Sequence, residues 1–427
     1  MENDALIRRR NRAMGPAYSL FYEQPVHLVR GEGVWLHGAD GRRYLDCYNN
    51  VASVGHCHPR VVAALGEQAS RLNTHTRYLH DKVVEYAERL GGTMPGDLEV
   101  CMFTCTGTEA NDLALRIARS VTGQRGAVVL ENAYHGLSEA VFELSTAEYP
   151  AADRPVHVEA VAAPNAYRGR FRYGEADHGR RYGELVADAV QSLGGKDMAP
   201  ALFINDNAYS TNGILTPPPE YLHEAYRQIR AAGGLAVADE VQSGLCRMGE
   251  NMWAFEDSVV VPDIVTLGKP LGDGHPLAAV VTTTEIAEAF AQKHDYFNTF
   301  GGNPVSATVG LTVLDVIEEE NILDNVRETG RYLRTGLLEL QERFEPVGDV
   351  RGKGLFYGIE LVRDRETMEP AAKDAERVRE FLRENGVLLS VTGPLGNVLK
   401  VRPPMVFSKA NADQLLEKLE EALACVS

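Results

Sequence analysis

The stretch Val265-Thr266-Leu267-Gly268-Lys269-Pro270-Leu271-Gly272-Asp273-Gly274-His275-Pro276 decides how the chain is read. An apolar run over 263–267 reads as a strand, and it breaks at glycines and prolines immediately around Lys269, so a single lysine is delivered to the end of a sheet. In an ordinary surface turn such a lysine is only a solvated charge. Held at a strand end and partly desolvated, the same amine becomes neutral and nucleophilic enough to form a Schiff base with an aldehyde. What the rest of the chain brings to the same place decides between the two.

Further apolar, β-rich runs at 127–130, 201–204, 235–238 and 278–282 are separated by lengths that accommodate crossover helices. Their nearly continuous apolar character predicts an α/β fold with a mostly parallel sheet covered on both faces. Upstream, Val34-Trp35-Leu36 and Tyr44-Leu45-Asp46 flank a turn at Asp40-Gly41, a hairpin pattern, and a helix is expected to begin near Pro59. His56 and His58 lack a third ligand at useful spacing and read as an ordering loop rather than a metal site. The Arg-, Gly- and Tyr-rich segment 165–183 reads as a long surface excursion.

Beyond Pro304 the character changes. A helix over 305–319, a Lys/Glu/Arg-rich region, a strand over 352–361, an amphipathic helix over 374–384, a strand over 398–401 and a helix over 412–424 describe a smaller α+β domain. The expected division is an N-terminal segment, 1–60, contributing to the small domain, a large domain over 61–310, and a C-terminal small domain over 311–427.

Sixty acidic against forty-three basic residues in 427 give a formal charge of −17, which supplies no general attraction to nucleic acid or to an anionic membrane. An anionic ligand would need a local basic pocket. The six cysteines form no C-x-x-C pairs and suit free thiols in a reducing cytoplasm. No stretch reaches the length needed to span a bilayer. Arg8-Arg9-Arg10 is followed by no apolar core and reads as a solvated start, with a twin-arginine signal the alternative.

Several separated signals fall at the ends of the expected strands. Thr106-Gly107-Thr108 precedes a helical run with Ala110, Leu113, Ala114, Ile117 and Ala118 on one face, so free amides at a helix N-terminus can cradle a phosphate at Gly107 and Thr108. Asp239 follows Leu235-Ala236-Val237-Ala238, where a buried carboxylate is costly unless it faces a cation. Tyr134-His135-Gly136 offers an aromatic face after the strand at 127–130. An aldehyde-reactive lysine, an acid for a ring nitrogen, a stacking ring and a phosphate cup together describe pyridoxal phosphate.

Tyr44-Leu45-Asp46, Thr106-Gly107-Thr108-Glu109-Ala110-Asn111, Tyr134-His135-Gly136, Ala238-Asp239-Glu240-Val241-Gln242, Lys269 and Thr299-Phe300-Gly301-Gly302-Asn303-Pro304 resemble the motifs of the class III pyridoxal-phosphate aminotransferases of fold type I. That resemblance implies a seven-stranded-type large domain with a smaller α+β domain built from both termini. It assigns the internal aldimine to Lys269, the ring nitrogen to Asp239, the region of the ring hydroxyl to Gln242 and the ring face to Tyr134 or His135. It also implies that Thr299 reaches the cofactor phosphate of a neighbouring subunit, hence a homodimer, with tetramers left open. The segments 47–59, 72–81 and 268–276 are similar to a narrower branch, which contains phospho-lyases acting on ethanolamine phosphate and phosphohydroxylysine as well as alanine-glyoxylate type aminotransferases.

Both reactions begin with the substrate amine displacing Lys269, and the freed lysine then removes the proton from the carbon bearing nitrogen. A lyase needs cationic and hydrogen-bonding groups around a dianionic leaving group, whereas an aminotransferase needs a carboxylate clamp. Arg77 and Arg402, with Tyr18 and Asn50 as neutral donors, are the substrate-binding candidates. Where many relatives open a Glu-Pro-x-x-Gly-like segment, this chain has Asp206-Asn207-Ala208-Tyr209-Ser210-Thr211-Asn212-Gly213. In those enzymes the glutamate holds an arginine in reserve for a second substrate, and its shortening favours a phospho-lyase acting on a small phosphorylated amine, ethanolamine phosphate first. An ω-aminotransferase using pyruvate or glyoxylate is the alternative, and a catalytically idle cofactor binder the third reading.

Overall fold

The computed structural model describes residues 2–148 and 151–426. At its centre is a seven-stranded sheet in the spatial order Leu98–Thr104, Ala278–Thr283, Ile264–Leu267, Leu235–Asp239, Pro200–Asp206, Gly126–Leu130, Val158–Val161. All neighbouring pairs are parallel except those of Ala278–Thr283, which runs against the strand on either side. The five expected strands are present. The two that the apolar runs did not reveal, Leu98–Thr104 and Val158–Val161, are the sheet's edges and are only partly buried. Glu99 and Glu159 interrupt their apolar pattern because an edge strand keeps one flank near water.

Successive side chains of a strand point to opposite faces, and the cores divide accordingly. Ala127 and Val129 pack with Ala110, Leu113, Ala114, Ile117 and Ala118 of the helix Gly107–Thr122. Val128 and Leu130 pack on the other side with Tyr182 and Val186 of His178–Gly194 and with Tyr221 and Ala225 of Glu220–Ala231. Both faces are therefore covered, as the near-continuous apolar strands require.

The expectation of an irregular excursion over 165–183 needs correcting, since a helix begins at His178 and buries Gly179, Tyr182 and Gly183. The glycines that read as chain breakers are contact points. A Cβ on Gly183 would stand 2.7 Å from the Tyr221 carbonyl oxygen, so only glycine lets the two helices approach this closely. Likewise, the single strand expected over 352–361 is a hairpin, Val347–Lys353 with Phe356–Asp364, which turns at Gly354.

The two ends of the chain are stitched together beside this sheet. The N-terminal strands Leu28–Glu32, Trp35–Gly38 and Arg43–Asp46 are extended by Val387–Leu388, which pairs parallel to the last of them. The amide of Arg402 donates to the Cys47 carbonyl at 2.7 Å, and that of Met405 to Ser53 at 2.8 Å. His56 is taken by the Asp46 carboxylate at 2.7 Å, while the same carboxylate accepts the amides of Tyr48 and Asn49, which fixes the loop leading to Asn50. No helix among the described residues is long and apolar enough to cross a membrane.

The helix Ile322–Arg343 meets the 347–364 hairpin at Gly330, where an added methyl would collide with the Gly354 carbonyl and the Tyr357 hydroxyl already donates to the Gly330 carbonyl at 2.9 Å. Backbone cannot retreat as a side-chain tip can. Gly330→Ala is therefore expected to destabilise the fold by about 1–3 kcal/mol, seen as a lowered thermal midpoint.

Candidate active site

A cavity of about 360 Å³ opens at the ends of the parallel strands, where Asp206 and Asp239 close adjacent strands in register. Lys269, Asp239, Gln242, Tyr134, His135, Gly107 and Thr108 all line it. Chain order separates these groups widely, and the crossover topology brings them to one edge because every parallel strand ends on the same side.

Lys269 adopts φ 28°, a left-handed conformation that a side chain rarely tolerates. The turn after it is held by the Leu271 amide on the Gly268 carbonyl at 3.0 Å and by the Ser53 hydroxyl on the Pro270 carbonyl at 2.7 Å. Burial lowers the amine's pKa, and the Arg402 guanidinium adds to the shift; Asp239 and Asp206 oppose it. The result is an amine more readily neutral than a solvated lysine, which is what nucleophilic attack on an aldehyde requires.

Asp239 is buried and has its oxygens occupied on the protein side. One accepts the Asn111 amide at 2.9 Å and the His135 ring nitrogen at 2.8 Å, and the other accepts the Val241 amide at 3.1 Å. Asn111 also donates to the His135 carbonyl at 2.7 Å, so one side chain fixes both members of the pair. Neither lysine nor arginine pairs with Asp239 among the described residues. A cationic ring nitrogen in the cavity would complete it.

At the other end of the cavity, the helix Gly107–Thr122 points its first turn inward. The Thr106 hydroxyl is spent on capping, accepting from the Glu109 amide at 3.2 Å and donating to the Glu109 carboxylate at 3.1 Å, so it adds no free donor. The Gly107 and Thr108 amides, in the first turn, have no intrahelical acceptor. Thr108 accepts from the Leu137 amide at 3.3 Å and keeps its hydroxyl proton to donate. A Cβ on Gly107 would stand 2.8 Å from Val241, so a larger residue would fill the cradle. Together these groups fit a phosphate.

Of the remaining sequence candidates, Arg402 is buried beside Gln242. Its guanidinium donates to the Gln242 side-chain oxygen and, at 3.2 Å, to the Tyr48 carbonyl, and it lies over the rings of Tyr48 and Phe356. Asn50 is also buried, but its amide is used on the Gln242 backbone carbonyl at 2.8 Å. Asn50 and Arg402 therefore stand behind Gln242 rather than among the residues lining the cavity, and Arg77, Tyr18 and Thr299 are exposed and do not line the cavity of the single chain either. Arg77 stacks on Phe297 at 4.0 Å, and Arg10 lies over Tyr18 at 5.8 Å.

Asn111 and Lys400 were not anticipated. Both broke an apolar pattern: Asn111 is polar on the buried stripe of its helix, one turn beyond Gly107, and Lys400 lies between Val398 and Arg402 on one face of a buried strand. Asp206 is at the cavity wall, yet its two oxygens accept the Ala208 and Ser210 amides, each at 2.9 Å.

This fold and this constellation define a pyridoxal-phosphate enzyme of fold type I. The chain belongs to the class III aminotransferase family, whose model matches residues 19–423. It is 44% identical over 429 residues to a Drosophila melanogaster alanine–glyoxylate aminotransferase 2-like protein, covering 98% of this chain and 87% of the relative. Identity to the Caenorhabditis elegans ethanolamine-phosphate phospho-lyase homolog 1 is 35%, over 99% of this chain and 94% of the relative. Among solved structures, a phospholyase from Arthrobacter in complex with phosphoethanolamine is similar with a TM-score of 0.94 and 42% identity, over 98% of this chain and 99% of that one. Pyridoxal phosphate is the cofactor, and the residues present fit it.

Borohydride reduction of the loaded protein is expected to fix the cofactor on the peptide containing Lys269, read by mass spectrometry, and Lys269→Ala to leave that peptide unmodified. Asn111→Leu removes a donor from a buried carboxylate. Cofactor affinity should fall roughly tenfold or more, measured by equilibrium dialysis.

Proposed function

We propose that this protein is a phospho-lyase that releases phosphate from a small phosphorylated amine, ethanolamine phosphate being the first choice. The observation that carries the reading is Arg402, a buried guanidinium that donates to the cavity-lining Gln242, acts electrostatically on Lys269 and pairs with no carboxylate among the described residues. Asp206, which stands where many relatives carry an arginine-holding glutamate, is occupied by its own loop amides. A permanent cation within electrostatic reach of a reactive amine suits a substrate with an amine at one end and a phosphate at the other. The likeness to the phosphoethanolamine-bound Arthrobacter phospholyase supports the same substrate class.

Bound in the cavity, pyridoxal phosphate supplies the electron sink that makes the proton on the carbon bearing nitrogen labile. Asp239 keeps the ring nitrogen cationic, with Asn111 and His135 holding the carboxylate in place. Tyr134, half-buried in the cavity wall, supplies the ring face, since His135 is engaged by Asp239. Lys269 takes the proton, its lowered pKa making the free base accessible. Phosphate leaves the adjacent carbon toward Arg402, and one water converts the released unsaturated amine to acetaldehyde and ammonia. No keto acid is consumed.

The homodimer belongs to this proposal. Tyr78, Leu79, Leu137, Phe297 and Phe300 are exposed, with Leu79 fully so, and Leu137 and Asn298 bond to the phosphate-cup helix. Such an apolar shelf suits a second copy of the chain. Across it Thr299 and Arg77 would reach the partner's cavity. The free cysteines support a cytoplasmic setting.

Incubation with ethanolamine phosphate and no keto acid should release phosphate and acetaldehyde over many turnovers. A single stalled turnover rescued by pyruvate or glyoxylate would establish the aminotransferase reading, which the names of the alanine–glyoxylate relatives favour. No spectral response to any amine would leave an idle binder. Arg77→Ala is expected to lower kcat/KM for ethanolamine phosphate by about 10- to 100-fold with the Lys269 linkage intact; an unchanged value removes Arg77 from the site.

A further inference from the structure

Lys400 is a buried amine with no place in the chemistry above. It projects from the strand Val398–Val401 and donates to the Ser210 hydroxyl, with its amine 5.6 Å from the centre of the Phe356 ring. The charged groups that act on it are Arg402, Asp206 and Lys269. Burial and the Arg402 guanidinium lower its pKa while Asp206 raises it, and in either protonation state it keeps N–H groups to donate.

Ser210 has every polar group committed. Its amide donates to Asp206 at 2.9 Å, its carbonyl accepts the Thr392 hydroxyl at 2.8 Å, and its hydroxyl lies between Lys400 and the Gln242 side-chain oxygen, 3.1 Å away. A hydroxyl carries one proton. With Lys400 filling a lone pair, that proton goes to Gln242. Arg402, which can only donate, meets the same Gln242 oxygen. Two donors on one side force the amide to present its oxygen to them and its NH2 to the cavity that Gln242 lines.

We propose that Lys400 is a positioning residue for the cofactor: through the Ser210 hydroxyl it locks the Gln242 amide with the NH2 turned toward the ring hydroxyl of pyridoxal phosphate. The inference rests on the reading that Gln242 faces that hydroxyl. It also gives the Asp206–Gly213 segment a role in place of the Glu-Pro pattern. Asp206 shapes the loop that carries Ser210, and Lys400 aims the proton of its hydroxyl. A rigid donor at the ring oxygen favours its anionic form.

The test is the visible absorption of the cofactor-loaded protein titrated with pH. Lys400→Met removes the donor at similar length, and Ser210→Ala removes the relay. Each should raise the midpoint of the spectral change by about one pH unit, the size of one hydrogen bond to a charged oxygen. The double variant should shift no further than either single one, because both act along one path. Gln242→Leu is titrated alongside. If Gln242→Leu keeps the parent midpoint, the placing of Gln242 at the ring hydroxyl is wrong and the proposal falls with it. If Gln242→Leu shifts while Ser210→Ala does not, the relay alone is overturned, and any shift in Lys400→Met is then an effect of charge. Should Lys400→Met fail to fold or load, Ser210→Ala decides by the same criterion.

Discussion

The structure depends on the burial of the Asp239 carboxylate at the end of a central strand. A carboxylate so placed is costly unless donors and a cation surround it. Asn111, His135 and the Val241 amide provide donors, and their hydrogen bonds explain why a polar side chain interrupts the apolar face of the Gly107–Thr122 helix. No lysine or arginine among the described residues supplies the cation, and a cationic ring nitrogen of the ligand would. The parallel topology adds the rest, since the crossover connections bring the helix start at Gly107 and Thr108, the Tyr134 ring and Lys269 to the edge where Asp239 emerges.

The support behind Gln242 is built differently, from the two ends of the chain. Asp46 orders the Tyr48–Asn50 loop, Tyr48 receives Arg402, and Asn50 braces the Gln242 backbone. Electrostatics there are cationic in a chain whose net charge is −17. Burial lowers the pKa of Lys269, Lys400 and Arg402, the Arg402 guanidinium lowers both lysines further, and Asp206 offsets all three without closing an ion pair on the guanidinium. An anionic substrate group entering this region would relieve the repulsion, which links the local charge to the substrate class proposed.

Much of this was legible in the sequence. Strands buried on both faces announce themselves as apolar runs, and Lys269, Asp239 and Gly107 fall at their ends or at helix starts. The edge strands were not visible because half-exposed positions carry Glu99 and Glu159, and the His178–Gly194 helix was hidden because its packing glycines resemble loop residues. Partnerships were the hardest to read. Nothing in the spacing of Asn50, Gln242, Ser210 and Lys400 tells that they meet, since their contacts form only once the N-terminal loop and C-terminal strand have been brought to the sheet. The same limit applies to Arg402 and Asn50, which stand behind the cavity lining, and to Arg77, Tyr18 and Thr299, which lie outside the cavity of one chain.

The fate of phosphorus tests the central claim most directly. Phosphorus NMR of ethanolamine phosphate treated with the loaded protein, in the presence of pyruvate so that either reaction can run, distinguishes the chemistries in one spectrum. The signal is expected to move to inorganic phosphate while pyruvate is conserved. Retention of phosphorus in a phosphorylated aldehyde, with pyruvate converted to alanine, would contradict it.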